Sequence, residues 1–144
     1  MSEHLKEGRI APELISEMIS GHEAGETPGA VAIFMGQVRE DLVDGKRVTG
    51  IEYSAYPEMT GQVVDEIADR LRQSYPELIT VRIIHSIGWV AAGEHSLAVM
   101  VTSLHRKQAF EALEECVELI KERLPVWKKE IFSDGSFRWV DPGH

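Results

Sequence analysis

VTSLHRKQAFEALEECVELIKERLPVWKKE, residues 101–130, holds a strand end, a long helix and the start of another strand in one stretch. Phe110, Leu113, Val117, Ile120 and Leu124 recur at three- and four-residue intervals and form one stripe of an amphipathic helix. Pro125 stops that helix, because the residue before a proline is pushed out of the α region. Beyond it, an extended chain places Lys128 and Glu130 on one face and Trp127, Lys129 and Ile131 on the other. Six of the chain's 15 lysines and arginines lie here, although the formal net charge is -9. A basic cluster held against an acidic background is a candidate anion site.

Outward from this stretch, His95–Ser103 and Ile79–Ser86 read as strands separated by a turn or small excursion over Gly88–Gly93. Pro57 opens a second helix with Met59, Val63, Ile67 and Leu71 at helical period, and Pro76 follows its end. Gly29–Gly36, GAVAIFMG, is short, apolar and bounded by glycines, as a buried strand is. Val48–Tyr56 is a further strand, and the polar Gln37–Arg47 between the two, with Asp44-Gly45 as a turn, suggests a long-looped hairpin. Pro12 heads a short first helix carrying Leu14, Ile15, Met18 and Ile19; Gly21 ends it, and His22–Pro28 is a loop. Trp127–Phe132 and Phe137–Val140 are strands joined by Ser133–Ser136. The order α-β-β-α-β-β-α-β-β is not a regular βαβ alternation. It predicts an α+β fold, a mixed or largely antiparallel sheet packed with three main helices.

Composition narrows the function classes. At 144 residues, 43% apolar and 27% charged, the chain is expected to be one domain over residues 1–144 that buries its own core. A pI near 5.1 argues against general nucleic-acid or anionic-membrane binding. No apolar run approaches the roughly 20 residues of a membrane helix, and MSEHLKEGRI lacks a signal or transit pattern. A single cysteine fits a reducing compartment, so a cytoplasmic location is expected. There is no P-loop, GxGxxG, GxSxG, CxxC or HxxxH, so no metal and no cofactor is expected.

Lys121 stands at the edge of the apolar stripe, one residue after Ile120. Its plain reading is a last-turn lysine that favours the helix dipole and reaches water. The turn at Pro125 adds a second reading, since it can fold Lys128 back toward Lys121. Two partly desolvated ammoniums lower one another's pKa, which is how a lysine becomes a base or nucleophile near neutrality. His105 and Arg106 sit at the helix start, where free amides suit an anion; a polar helix start capped by Ser103 is the plainer alternative. Arg39 opens a loop after a strand, a weak signal alone. Cys116 reads as an inert core thiol. Arg106 and Lys121 are separated by about 22 Å of helix at about 1.5 Å per residue. One small ligand cannot touch both from the same helix. A homodimer that brings His105 and Arg106 of one copy to Lys121 of the other is therefore expected.

Gly36-Gln37-Val38-Arg39, Tyr56-Pro57-Glu58-Met59, Val101-Thr102-Ser103 with His105-Arg106, Ala109-Phe110 and Pro125–Glu130 occur in this order and spacing. With Ile87-Gly88 through Gly93-Glu94 and Arg138-Trp139-Val140, they resemble the catalytic (large) subunit family of molybdopterin synthase, from about residue 10 to 140. The resemblance implies an α/β-hammerhead-like fold and a sulfurtransferase. In that family cyclic pyranopterin monophosphate receives two sulfurs and becomes the dithiolene of molybdopterin, a step of molybdenum cofactor biosynthesis. The sulfur arrives as the C-terminal thiocarboxylate of a small ubiquitin-like partner subunit, within a heterotetramer built on a homodimer of large subunits.

By position, the resemblance implies substrate contacts from Gln37, Val38 and Arg39, an anion-binding pair in His105 and Arg106, and a second basic segment in Lys128, Lys129 and Glu130. It makes Lys121 the key catalytic lysine, joined by Lys128. Two roles are open to Lys121: general acid–base catalysis, or a transient bond to the tail's acyl group. With sulfur delivered from outside, Cys116 needs no catalytic role. The acidic loop Glu40–Arg47 and Trp89–Ala92 depart from the family pattern and touch none of these positions. Two other classes remain in view, a non-catalytic adaptor that binds a partner's tail and a phosphate-ester hydrolase. The lysines argue against the first, and the lack of a metal cluster or activated nucleophile argues against the second.

Overall fold

The computed structural model describes residues 3–21 and 27–140, so residues 22–26 of the expected loop lie outside the described residues. The elements are β1 (Leu5–Glu7), α1 (Pro12–Ser20), β2 (Ala30–Gln37), β3 (Leu42–Val43), β4 (Lys46–Ala55), α2 (Pro57–Ser74), β5 (Leu78–Ala91), β6 (His95–Ser103), α3 (Arg106–Arg123), β7 (Val126–Phe132) and β8 (Phe137–Val140). The sheet order is β2-β6-β5-β4-β7-β8, with β1 beside β5 and β3 beside β4. Only β1–β5 is parallel; the other pairings are antiparallel. Three helices on a mixed, mainly antiparallel sheet are the α+β architecture expected.

The 14-residue β5 organises the molecule. Its first half pairs with β6, its last residues with β4, so it joins two parts of the sheet. The β2-β6-β5 part is covered on both faces. On one, Ile67 and Leu71 of α2 and Ala112, Cys116 and Ile120 of α3 pack against Ile83, Val99 and Val101. On the other, Ile10 and Met18 pack against Ile84, Ala98 and Met100. Burial on both faces explains the unbroken apolar run of β6, which shows no alternation. Leu71 is fully buried in the larger cluster. Leu71→Ala is expected to cost about 2–5 kcal/mol, read as a lower denaturant midpoint at unchanged m-value.

Several expectations are corrected. β2 and β4 do not form a hairpin: β2 pairs with β6, and β5 and β6 stand between them. The Asp44-Gly45 turn instead closes the small β3–β4 hairpin, with both residues at positive φ (52° and 77°), the geometry of a tight primed turn. β5 does not end at Ser86 but runs on to Ala91. Gly88 allows this at φ 78°, in a place where a Cβ would collide with the Glu7 carboxylate. Phe110 and Met59 are exposed rather than packed. On α3 the small Ala109 and Ala112 take the contact face, which lets the helix approach the sheet closely. The α3 N-cap is His105 with no side-chain cap bond, and the Ser103 hydroxyl donates to the Glu77 carbonyl instead.

Candidate active site between α3 and the β4–β7–β8 sheet

Pro125 reverses the chain, so α3 and β7 form two walls of one cleft of about 760 Å³. α3 contributes Lys121, at the exposed edge of its last turn. β7 contributes Lys128 and Glu130 from one strand face. The antiparallel register sets Tyr53 opposite Lys128 and Ile51 opposite Glu130 on β4, with Val140 and Arg138 opposite the same pair on β8. All of these residues line the cleft. The end of β2 supplies Gln37, Val38 and Arg39 along the rim.

The electrostatics follow from that convergence. Burial depresses the pKa of Lys128, the charge of Lys121 depresses it further, and Glu130 opposes both. Glu130 is 8% exposed and accepts a 2.6 Å hydrogen bond from Arg138 Nε. A nearly buried carboxylate is thus paired, and a further cation is held at the cleft beside the two lysines. Replacing Lys121 with Met is expected to let Lys128 titrate at higher pH, followed by NMR of the lysine side chain. An unchanged titration would break the coupling inferred between the two ammoniums.

The remaining sequence-derived positions divide. Gln37 Nε2 donates to the Gly93 carbonyl at 2.7 Å, and the Val38 main chain bonds Glu94 and Gly93, so this rim is tied to the β5–β6 turn. Arg39 is exposed and pairs with Asp41 at 3.2 Å. Lys129 points to the other sheet face, its Nζ 4.1 Å from the Phe137 ring centroid. All three tryptophans are found on or beside that outer face, Trp89 opposite Glu52, Glu52 opposite Lys129 and Lys129 opposite Trp139, with Trp127 two residues along β7. His105 and Arg106 do not line the cleft; His105 Nδ1 lies 3.2 Å from Glu77 Oε1 at the far end of α3.

Among the cleft residues that carry no sequence signal of a site are Arg138, Tyr53, His85 and Ser96. Arg138 could have been found from the expected 127–140 hairpin, whose register sets it opposite Glu130. Tyr53, His85 and Ser96 lie on three separate strands and carry no motif. Among the described residues, no group of three His, Cys, Asp or Glu is placed to hold a metal. Cys116 is buried and its thiol is pushed up to about 12 by burial, with Glu115 adding to the shift. No helix of the described residues is long and apolar enough to cross a membrane.

The α+β fold thus brings two lysines, from the last turn of α3 and from β7, to one cleft, an arrangement that suits anionic groups. Residues 5–123 match the family described as MoaE protein, and the chain belongs to that family, the catalytic subunits of molybdopterin synthase. The chain is 39% identical over 111 residues to the molybdopterin synthase catalytic subunit of Thermoplasma volcanium, covering 77% of this chain and 80% of that one. It is similar to the crystal structure of molybdopterin synthase from Staphylococcus aureus, with TM-score 0.82, 33% identity and 96% of each chain covered. A protein–protein complex of subunits 1 and 2 of molybdopterin-converting factor from Helicobacter pylori shares the fold at TM-score 0.78 and 19% identity, over 95% of this chain and 88% of that one.

Proposed function

We propose that the chain is a sulfurtransferase that moves two sulfurs from the C-terminal thiocarboxylate of a small ubiquitin-like partner to cyclic pyranopterin monophosphate, forming the dithiolene of molybdopterin. The observation that carries this reading is the convergence of Lys121 and Lys128 from opposite sides of Pro125 onto one cleft. Burial and the charge of Lys121 lower the pKa of Lys128, which makes its neutral, proton-accepting form easier to reach than that of a free lysine. The two lysines receive the tail, stabilise the negative charge that develops on its carbonyl oxygen when water replaces the transferred sulfur at the acyl carbon, and then bind the carboxylate so formed. Gln37, Val38 and Arg39 contact the substrate from the rim, while Glu130 holds Arg138 in place.

His105 and Arg106 hold substrate phosphate in the cleft of a second copy, because α3 keeps them about 22 Å from their own Lys121. Lys129, on the outer face, supports the strand rather than the chemistry. The assembly is a homodimer of this chain with one small subunit at each end, in the cytoplasm. The relatives support a catalytic subunit of molybdopterin synthase, and the Helicobacter pylori complex supports the pairing of two kinds of subunit. Mixing the chain with its thiocarboxylated partner and the cyclic pterin is expected to yield dithiolene. A partner that docks and a pterin that binds without any dithiolene would reject the reading.

A further inference from the structure

The charged rim of the cleft has a neutral floor beneath it. Tyr53 of β4, His85 of β5 and Ser96 of β6 are 7%, 6% and 6% exposed, and all three line the cleft. The His85 and Tyr53 rings meet edge-on with centroids 5.0 Å apart, and Tyr53 Oη donates to Ser96 Oγ at 3.0 Å. His85 Nδ1 is 2.7 Å from the Ser86 carbonyl. A carbonyl only accepts, so Nδ1 carries the hydrogen and the neutral ring presents Nε2 as an acceptor. The only hydrogen bond of the ring among the described residues is that of Nδ1, so Nε2 is left to accept, and the ring lines the cleft. The Ser96 oxygen is taken as acceptor by Tyr53, which leaves the Ser96 hydrogen to donate.

We propose that His85 Nε2 and the Ser96 hydroxyl form an acceptor–donor pair that recognises the uncharged lactam edge of the pterin ring, N–H on His85 and C=O on Ser96. The inference rests on the sulfur-transfer reading and adds specificity-determining residues to it. The division of labour follows from charge. The lysines and arginines of the rim suit the phosphate and the incoming tail, whereas a neutral heterocycle edge gains nothing from them. Burial holds His85 near pKa 4, against the Ser86 carbonyl and with the nearby Lys128 charge adding to the lowering, so the ring stays an acceptor at neutral pH. Tyr53 is a positioning residue, since its bond to Ser96 fixes which way the serine hydrogen turns. A polar floor of this kind penalises any ligand that covers it without the matching groups.

The test titrates the full chain calorimetrically with two separate probes, a phosphate-free pterin and inorganic phosphate. The parent is expected to bind both. Ser96→Ala and His85→Phe are each expected to weaken pterin binding about tenfold, a typical loss for one hydrogen bond to a buried site, and to leave phosphate affinity unchanged. Retained phosphate binding in the same variant reports an intact cleft. The double variant Tyr53→Phe with Ser96→Ala removes both hydroxyls at nearly constant volume and is expected to match Ser96→Ala. In turnover, KM for the cyclic pterin rises in these variants while kcat at saturation stays within about twofold of the parent. Pterin affinity unchanged in Ser96→Ala and in the double variant would overturn the proposal, as would equal losses for both probes or a parent that does not bind the pterin. Parental dithiolene formation is measured alongside, so failure of the floor is told apart from failure of the sulfur-transfer reading.

Discussion

Lys121→Ala is expected to lower dithiolene formation about 10²–10³-fold, the usual loss when one group aimed at developing charge is removed. The side chain is exposed at the last turn of α3, so its removal leaves no cavity. Alanine is a good helix former, and only a weak favourable term with the helix dipole is lost, about 0.3–1 kcal/mol. Folding and partner docking are expected to survive. The loss acts twice on the chemistry, because Lys121 is also one of the charges that depress the pKa of Lys128. Single-turnover rates, with partner affinity measured alongside, separate these effects. Lys121→Arg keeps the charge without a titratable amine. It recovers most of the rate if Lys121 only stabilises charge, and little if it transfers a proton or bonds the acyl group. Near-parental turnover in Lys121→Ala would remove this lysine from the mechanism.

The second large effect concerns assembly. Arg106→Ala and Lys121→Ala are each expected to be nearly inactive alone. Mixed in equal amounts and allowed to exchange subunits, they are expected to recover about a quarter of parental activity. Half of the dimers are then mixed, and in each mixed dimer one site unites the intact Lys121 of one copy with the intact Arg106 of the other. No recovery after verified subunit exchange would mean that each cleft draws only on its own chain. His105 and Arg106 would then serve a different site, where His105 already faces Glu77.

Much of the fold was legible because local rules act without competition there. Pro125 ends α3, the Ser133–Ser136 turn joins β7 to β8, and strand alternation separates Lys128 and Glu130 from Trp127, Lys129 and Ile131. Long-range pairing was not legible. β1 has three residues and gains its place only by pairing with Leu5 opposite His85, far along the chain. Nothing local forbids a β2–β4 hairpin; β6 wins β2 because its two apolar faces are covered by helices on both sides. Phe110 misled because a hydrophobicity stripe favours large side chains, whereas α3 packs through Ala109, Ala112 and Cys116.

The candidate site divided along the same line. Charged positions near a helix end announced themselves, and Lys121, Lys128 and Glu130 do share a cleft. Lys129 did not follow its neighbours, since one residue along a strand changes the face. Tyr53, His85 and Ser96 come from three different strands and meet only when β4, β5 and β6 are assembled. Side chains of that kind have no spacing in the sequence by which to be found.

The most direct measurement is the mass balance of one reconstituted reaction containing the chain, its thiocarboxylated partner and the cyclic pterin. Sulfur transfer predicts a pterin product that carries two added sulfurs, with two partner tails converted from thiocarboxylate to carboxylate for each product. Tails hydrolysed with no sulfur gained by the pterin, or a pterin that loses only its cyclic phosphate, would contradict it.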